Sequence, residues 1–342
     1  MFTYNDETAV SGEFTDGDSL ADPVVPRTVL RSIWTNMVQR ELINLVEGAG
    51  LTLDDLDFAQ VLEAVDTISD AKAAAALAAA QATSAAAAPL NYLTGFALAN
   101  SQVDNLHDIS IGAGQAKDQD DAGVIKRTSA IIKQIDAVWA QGNNTGGRAS
   151  AVSLVADTWY AVFVIGKADG TADAGFDTSP VGANLISDAA ANGYVYIRRV
   201  GWVLTDASAN IEPFIQRGDE FAWYLATNDN AGLTVTDTAG NIRLKNPPEN
   251  VIVNFNAALS VYTDAVFFYS PDGSDPATIS RGGTDPVPSV NGMDNDLGSD
   301  VSSNANIKVL TDSSGNIRAK GSDASVPVDI TTIGWTDTRG KL

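Results

Sequence analysis

The chain contains no cysteine and a single histidine, His107. Disulfides, thiolate metal sites and a cysteine nucleophile are thereby excluded, and so is a His-rich metal centre. A Ser-His-Asp triad would have to be built on His107, which lies in the loop-like run "NLHDIS" and reads as a loop residue. Basic residues are scarce as well: 21 Lys and Arg stand against 43 Asp and Glu, a formal charge of −22. The densest basic runs are only "IKRTS" and "IRRV". A groove that neutralises phosphates needs clustered Lys and Arg, so neither nucleic acid nor an anionic membrane is expected as a partner. The acids are spread rather than blocked, as on a solvated, self-repelling surface. Long apolar runs are missing too. The opening "MFTYNDETAVSGEFTDGDSLADP" has no apolar segment and predicts no signal peptide. No other stretch combines the length and hydropathy of a membrane span.

What is present divides into three regions. Residues 1–25 are polar, rich in Asp and Gly, and read as an extended arm ending near Pro23 and Pro26. Residues 26–89 read as helical. Leu30, Ile33, Trp34, Met37, Val38, Leu42, Leu45 and Val46 follow the spacing of an amphipathic helix, which Gly48 and Gly50 should stop. A second helix is expected from about residue 55 to 88, capped by Asp54 or Asp55 and striped by Phe58, Val61, Val65 and Ile68. Its distal half is nearly all alanine, thirteen of the eighteen residues from Ala71 to Ala88. Lys72, Gln81, Thr83 and Ser84 interrupt it, and alanine is only weakly apolar on insertion scales, which argues against a membrane span. A heptad reading places Val61, Val65, Ile68, Lys72, Ala75, Ala79, Ala82 and Ala86 on one seam, with Lys72 as its imperfection. The stretch therefore reads as a thin stalk helix.

Residues 90–342 change character. Short β-rich runs such as "WYAVFVIG", "YVYIRRVGWVL" and "NVIVNFNAAL" alternate with turn signals, which predicts an antiparallel, jelly-roll-like β-sandwich. The expected fold is thus mainly β with an N-terminal α region. One segment, "SAIIKQIDAVWAQGNNTGG", has helical spacing at Ile131, Ile135 and Val138 and is read as a short helix or turn. An internal echo joins "VTDTAGNIRLKN" (235–246) to "LTDSSGNIRAKG" (310–321). Both halves suit strand, tight turn, strand, with Asp237 or Asp312 opening the turn and the Gly-Asn pair taking unusual angles. They read as similar hairpins, with a repeated binding loop around Arg243 and Arg318 as the functional alternative.

No constellation of catalytic residues emerges. Asp219 and Glu220 stand beside Phe221, Trp223 and Tyr224, yet adjacent strand residues face opposite sides and could not share a cleft. Asp294, Asp296 and Asp300 could ligate calcium, but they lack the spacing of a helix-flanked calcium loop. "GNNTGGRAS" lacks the Lys-Ser/Thr ending of a phosphate loop. Trp159, Tyr160, Trp202, Phe214, Trp223 and Trp335 lie in or beside strand-like runs and read mostly as core. The residues therefore predict no enzyme, metal or cofactor.

The run "FTDGDSLADPVVPRTVLRSIWTNMVQRELINLVEGAGLTLDDLDFAQVLEAV" (14–65) resembles the N-terminal region of bacteriophage and prophage tail-fibre proteins. Trp34, Asn36, Val38, Gln39, Glu41, Leu42, Asn44, Glu47, Ala49 and Gly50 carry the likeness. The β region resembles a tail-fibre domain through "DISIGAGQAKD" (108–118), "YIRRVGWV" (196–203), "IEPFIQRGDEF" (211–221), "FFYSPDGSDPA" (267–277), "SGNIRAKGS" (314–322) and "IGWTDTRGK" (333–341). The resemblance implies a virion structural protein, assembled in the host cytoplasm and usually trimeric. Its N-terminal part would dock on other virion proteins of the tail or portal-adaptor region. Its β domain would contact the host or mount another fibre protein; the alternative function is a host-adsorption protein that binds or depolymerises a surface glycan. On that reading Leu30, Ile33, Trp34, Met37, Val38, Leu42, Phe58, Val61, Val65 and Ile68 form the docking or oligomer interface.

Overall fold

A computed structural model describes residues 32–54, 57, 59–259, 265–275, 291–294 and 303–341. The expected arm, Leu30, Asp55 and Phe58 lie outside them. The protein is mainly β with N-terminal helices. The helices are α1 (Ser32–Gly48) and α2 (Gln60–Ala87). The strands begin with β1 (Leu93–Gly95), β2 (Leu98–Asn100), β3 (Asp108–Ile111), β4 (Gly114–Lys117), β5 (Val124–Arg127) and β6 (Ile131–Val138). They continue with β7 (Thr145–Arg148), β8 (Trp159–Lys167) and β9 (Ala172–Asp177), then α3 (Ala183–Ala190) and β10 (Tyr194–Leu204). The remainder is β11 (Phe214–Arg217), β12 (Glu220–Val235), β13 (Gly240–Arg243), β14 (Ile252–Leu259), β15 (Ala265–Tyr269), β16 (Asn291–Asp294), β17 (Ser303–Leu310), β18 (Asn316–Gly321) and β19 (Val326–Thr336). Two compact units divide the chain, Met1–Ala76 and Leu77–Leu342, so the division falls inside α2.

In the first unit α1 ends in a Schellman motif. Gly50 takes φ +77°, its N–H donates to Glu47 O at 2.9 Å, and Leu51 N–H donates to Val46 O at 3.2 Å. Gly50, rather than Gly48, is thus the residue that stops the helix. The second helix starts at Gln60, later than the spacing predicts, because the loop before it has its own hydrogen bonds. Asp57 accepts the Ala59 N–H at 2.8 Å, and the Gln60 side chain bridges Thr52 O at 2.7 Å and Asp54 N–H at 3.1 Å. The 28 residues of α2 make a helix about 42 Å long at 1.5 Å per residue.

The second unit contains two apolar cores. In the first, a seven-stranded sheet of order β10-β8-β9-β7-β6-β3-β2 accompanies a three-stranded sheet, β1-β4-β5. Strand β8 is buried along seven consecutive residues because both of its faces are covered. Ile125 of β5 lies over Gly166, while the α3 side packs Leu185 against Gly175, whose neighbour across the ladder is Phe163. Asp177, fully buried, fixes the start of α3 by accepting the N–H groups of Asn184 and Leu185 at 2.8 and 2.9 Å. The segment expected as a short helix is strand β6. Its burial alternates, with Ile131, Lys133 and Ile135 inward. The spacing of Ile131 and Ile135 suits both periods, and a lysine at the inward position between them disguises the strand. Asp173 at 3.2 Å makes that position tenable, with Ala140 O, Thr145 Oγ1 and Gly142 O accepting from Lys133 Nζ. Burial still pulls the Lys133 pKa below the ordinary lysine value, against the opposing field of Asp173.

The second core lies in a sandwich of a five-stranded sheet, β11-β12-β19-β14-β17, and a four-stranded sheet, β13-β18-β15-β16. Here the internal echo becomes architecture. Both copies cross from the first sheet to the second, as β12-β13 and β17-β18, and the two copies pair with each other. Asn241 faces Arg318, Ile242 faces Ile317 and Arg243 faces Asn316, so the two Asn-Ile-Arg triplets meet antiparallel about Ile242 and Ile317. In the opposite sheet Asn256 faces Thr331, its own counterpart at the same chain offset. A local two-fold axis thus runs through the sandwich. The turns differ between copies. Asp312 accepts from Ser314 N–H and Asn316 N–H at 2.9 and 2.8 Å, and Gly315 takes φ +76°. The other turn is held instead by Thr236, whose Oγ1 donates to Thr238 O, and Gly240 has an ordinary backbone angle.

Strands β12 and β19 contribute to both cores. Their ladder starts at Glu220–Thr336 and Phe221–Trp335 in the first core and ends at Leu233–Val328 and Val235–Val326 in the second, with register shifts between. At the first core Trp335 stacks on Phe221 at 5.2 Å and meets Trp223 and Trp159 at 5.1 and 5.3 Å. The aromatic residues expected inside, Tyr160, Trp202, Phe214, Trp223 and Trp335, are buried, and Trp159 packs against them.

Candidate functional sites

The helical unit presents an apolar surface. Met37, Val38, Leu42, Val61 and Val65 are exposed, between 39 and 47 % of their full surface, and Leu62 is 65 % exposed. Trp34 and Ile68 are half-buried; Ile33 lies in α1, its side chain outside the described residues. Leu42, Ile43, Val46, Leu53 and Val61 line a groove of about 280 Å³, rimmed by Gln39, Asp57 and Gln60. Farther along α2, Leu77 is 49 % exposed. Part of the stripe expected from spacing, Met37, Val38, Leu42, Val61 and Val65, is therefore bare in a single chain, while Val46 is buried and Trp34, Leu45 and Ile68 are half-buried. Among the described residues no helix is long and apolar enough to cross a membrane.

The acidic and basic candidates of the β unit resolve differently. His107 Nδ1 meets Asp104 Oδ2 at 3.1 Å in a local loop contact. Asp294 ends β16, while Asp296 and Asp300 lie outside the described residues. Asp219 and Glu220 do not converge. Asp219 binds Arg339 Nη2 at 2.8 Å and Lys341 Nζ at 2.7 Å, whereas Glu220 is exposed, 4.0 Å from Lys308. Burial acts to raise the Asp219 pKa, but the hydrogen bonds from Lys341 and Arg339 outweigh it and hold the carboxyl below its usual range. Arg243 donates to Leu244 O and Gly315 O at 2.7 and 2.9 Å, and Arg318 pairs with Asp275 at 2.8 Å. Arg243 thus reaches the turn of the other copy and Arg318 the segment after β15.

A buried cluster of charges lies nearby. Arg199 is 9 % exposed and held by two carboxylates, Asp337 at 2.5 Å and Glu249 at 2.7 Å. Glu249 also accepts the Trp202 indole N–H at 3.0 Å, and Arg199 stands over the Trp202 ring at 5.5 Å. Burial opposes the Arg199 charge, yet Asp337 prevails and raises its pKa. Burial raises the Glu249 pKa, with Arg199 opposing. Asp337 further accepts the Arg339 N–H at 2.7 Å. Segments 196–203, 211–221 and 333–341 thereby meet at linked ion pairs.

Beside this network is a cavity of about 160 Å³ lined by Asn91, Gln119, Pro180, Arg198, Arg199, Glu249, Arg339 and Gly340. Arg198 is the odd member. It is 3 % exposed, and its one hydrogen bond among the described residues runs from Nη2 to Asn91 O at 3.3 Å. Among the described residues its buried Nε has no partner. The signal for the cluster was the Arg198-Arg199 pair inside an otherwise apolar run, "YVYIRRVGWVL". Two charges there need buried acids to face them, and sequence does not say which acids arrive.

No protein-family model matches the chain, and no curated protein matches it.

Proposed function

We propose that this chain is a non-enzymatic structural protein of a bacteriophage virion, a tail fibre that docks through its N-terminal arm and helices and presents its β region away from the particle. On this reading it works as a homotrimer. The observation that carries it is the bare apolar stripe of the helical unit, through Met37, Val38, Leu42, Val61, Leu62 and Val65. Further copies of the same chain are the occupants of that stripe along α2. A 28-residue helix this poor in large side chains gains little from packing at its distal end. Helices of alanine form readily but bury only about 0.8 kcal/mol per methyl-sized group, so assembly must draw on the larger residues at its start. Sister helices in register would cover Val61, Val65 and Ile68 and let the alanine seam run closely packed. Lys72 would then leave the seam by extending its ammonium to solvent.

Light scattering on the full chain at micromolar concentration tests the assembly. A mass three times 35.7 kDa is expected. Val65→Asp should release monomers while leaving the unfolding of the β unit unchanged. A wild-type chain that is cleanly monomeric refutes the assembly. Mass spectrometry of purified phage particles tests the location, and absence of the chain from intact particles refutes it.

A further inference from the structure

We infer that the cavity formed by Asn91, Gln119, Arg198, Arg199, Glu249 and Arg339 is a binding site for a singly charged carboxylate carried by a sugar, with Arg198 as the charge partner. The inference needs only the cavity and is independent of the virion reading, so either can fail alone.

The pairing of charges around the cavity points there first. Asp337, Glu249 and Asp219 face Arg199, Arg339 and Lys341 in the network beside the cavity. Each carboxylate is already committed to Arg199, Arg339 or Lys341. Among the described residues none lies within ion-pair range of Arg198, which senses Asp121 and Asp118 only from farther away. Arg198 is left as a nearly buried guanidinium with no carboxylate in contact among the described residues, in a chain of net charge −22. A group so desolvated is costly unless something pairs with it. Burial presses its pKa downward, with Asp121 and Asp118 opposing and the neighbouring Arg199 and Arg339 charges adding to the shift.

Geometry points the same way. The guanidinium offers five N–H donors in a planar fork, and one carbonyl at 3.3 Å uses little of that capacity. Gly340 lies against it: a Cβ there would come within 3.4 Å of Nη2. The φ of +70° at Gly340 suits glycine there. A carboxylate suits the fork in bidentate form. Glu249 on the cavity wall opposes a second negative charge, which favours a carboxylate over a phosphate dianion. The amides of Asn91 and Gln119 offer donors and acceptors to hydroxyl groups beside the acid. A volume of about 160 Å³ is smaller than the roughly 300–1,000 Å³ of pockets that enclose whole drug-sized ligands, so one acidic sugar residue is the fitting size.

Calorimetric titration of the full chain with D-glucuronate, glucose, acetate and inorganic phosphate, at fixed ionic strength, tests the assignment. Saturable binding of glucuronate with Kd on the order of 1 mM is expected, with glucose silent and acetate and phosphate at least about tenfold weaker. Arg198→Met should abolish the glucuronate signal. Because it removes an unpaired buried charge at similar volume, it should also leave the melting temperature equal or higher. A wild-type chain that does not bind glucuronate up to about 10 mM overturns the proposal. So does acetate or phosphate binding as tightly as glucuronate. A folded Arg198→Met chain that still binds overturns the role of Arg198, and a fall in melting temperature in that variant marks Arg198 as a structural residue.

Discussion

Replacing Asp337 should expose how strongly the Arg199 network holds the β unit. Asp337 is 2 % exposed and meets Arg199 through Nη1 and Nη2 at 2.5 and 3.1 Å. Asp337→Ala removes both bonds and the acceptor of the Arg339 N–H. Breaking a buried pair by deleting one partner typically costs about 3–5 kcal/mol, because the remaining charge stays desolvated. Glu249 remains 2.7 Å from Arg199 and compensates part of that loss. The expected cost is therefore at the low end, about 3 kcal/mol. Arg199→Met should be worse, about 5 kcal/mol, since it strands Asp337 and Glu249 together. The double variant Arg199→Met with Asp337→Leu removes the core pair and should return to within about 2 kcal/mol of the wild type. Urea unfolding followed by tryptophan fluorescence is a suitable assay, because Trp202 and Trp335 are buried close by in the chain. A cost below about 1 kcal/mol for Asp337→Ala, or a double variant as unstable as Arg199→Met, would refute the reasoning.

Gly334→Ala should be far more damaging than Gly240→Ala. A Cβ at Gly334 would lie 2.1 Å from Phe221 O, at the start of the β12–β19 ladder, while at Gly240 it would meet nothing within 4 Å. We expect a loss above about 4 kcal/mol at the first position and under about 1 kcal/mol at the second, read from thermal melts. The Asp219 tie predicts a pH effect of definite sign. Its folded pKa lies below 3.8, so its contribution is fully present above that value and disappears as pH falls through the folded pKa. Asp219→Asn should flatten that acid limb of a stability–pH curve, and an unchanged limb would count against the tie.

Residues with one dominant role were easiest to read from the sequence. The α1 stripe, its glycine stop, the alanine helix and the aromatic strand runs follow from period and composition alone. Lys133 shows where this fails: a buried lysine in β6 erased the alternation, and only the distant Asp173 explains it. The late start of α2 depended on the side chains of Asp57 and Gln60 folding back locally. Helix α3 was missed because its eight residues owe their anchoring to Asp177, at the end of the preceding strand. The echo was visible as a repeat, but not that its copies would pair with each other about Ile242 and Ile317. Arg198 and Arg199 could be seen as misplaced charges in a strand. Their partners, Asp337 and Glu249, are separated from them by long stretches of chain and were invisible as such.

The two strands shared by both cores have a mechanical consequence. Two sandwiches joined by a loop can hinge, and each can give way alone. Here β12 and β19 leave one core as hydrogen-bonded neighbours and enter the other still side by side. A pull directed along these strands would load many backbone bonds at once in shear, rather than opening them one after another. The two cores are thereby joined by a paired two-stranded ladder rather than by a single loop.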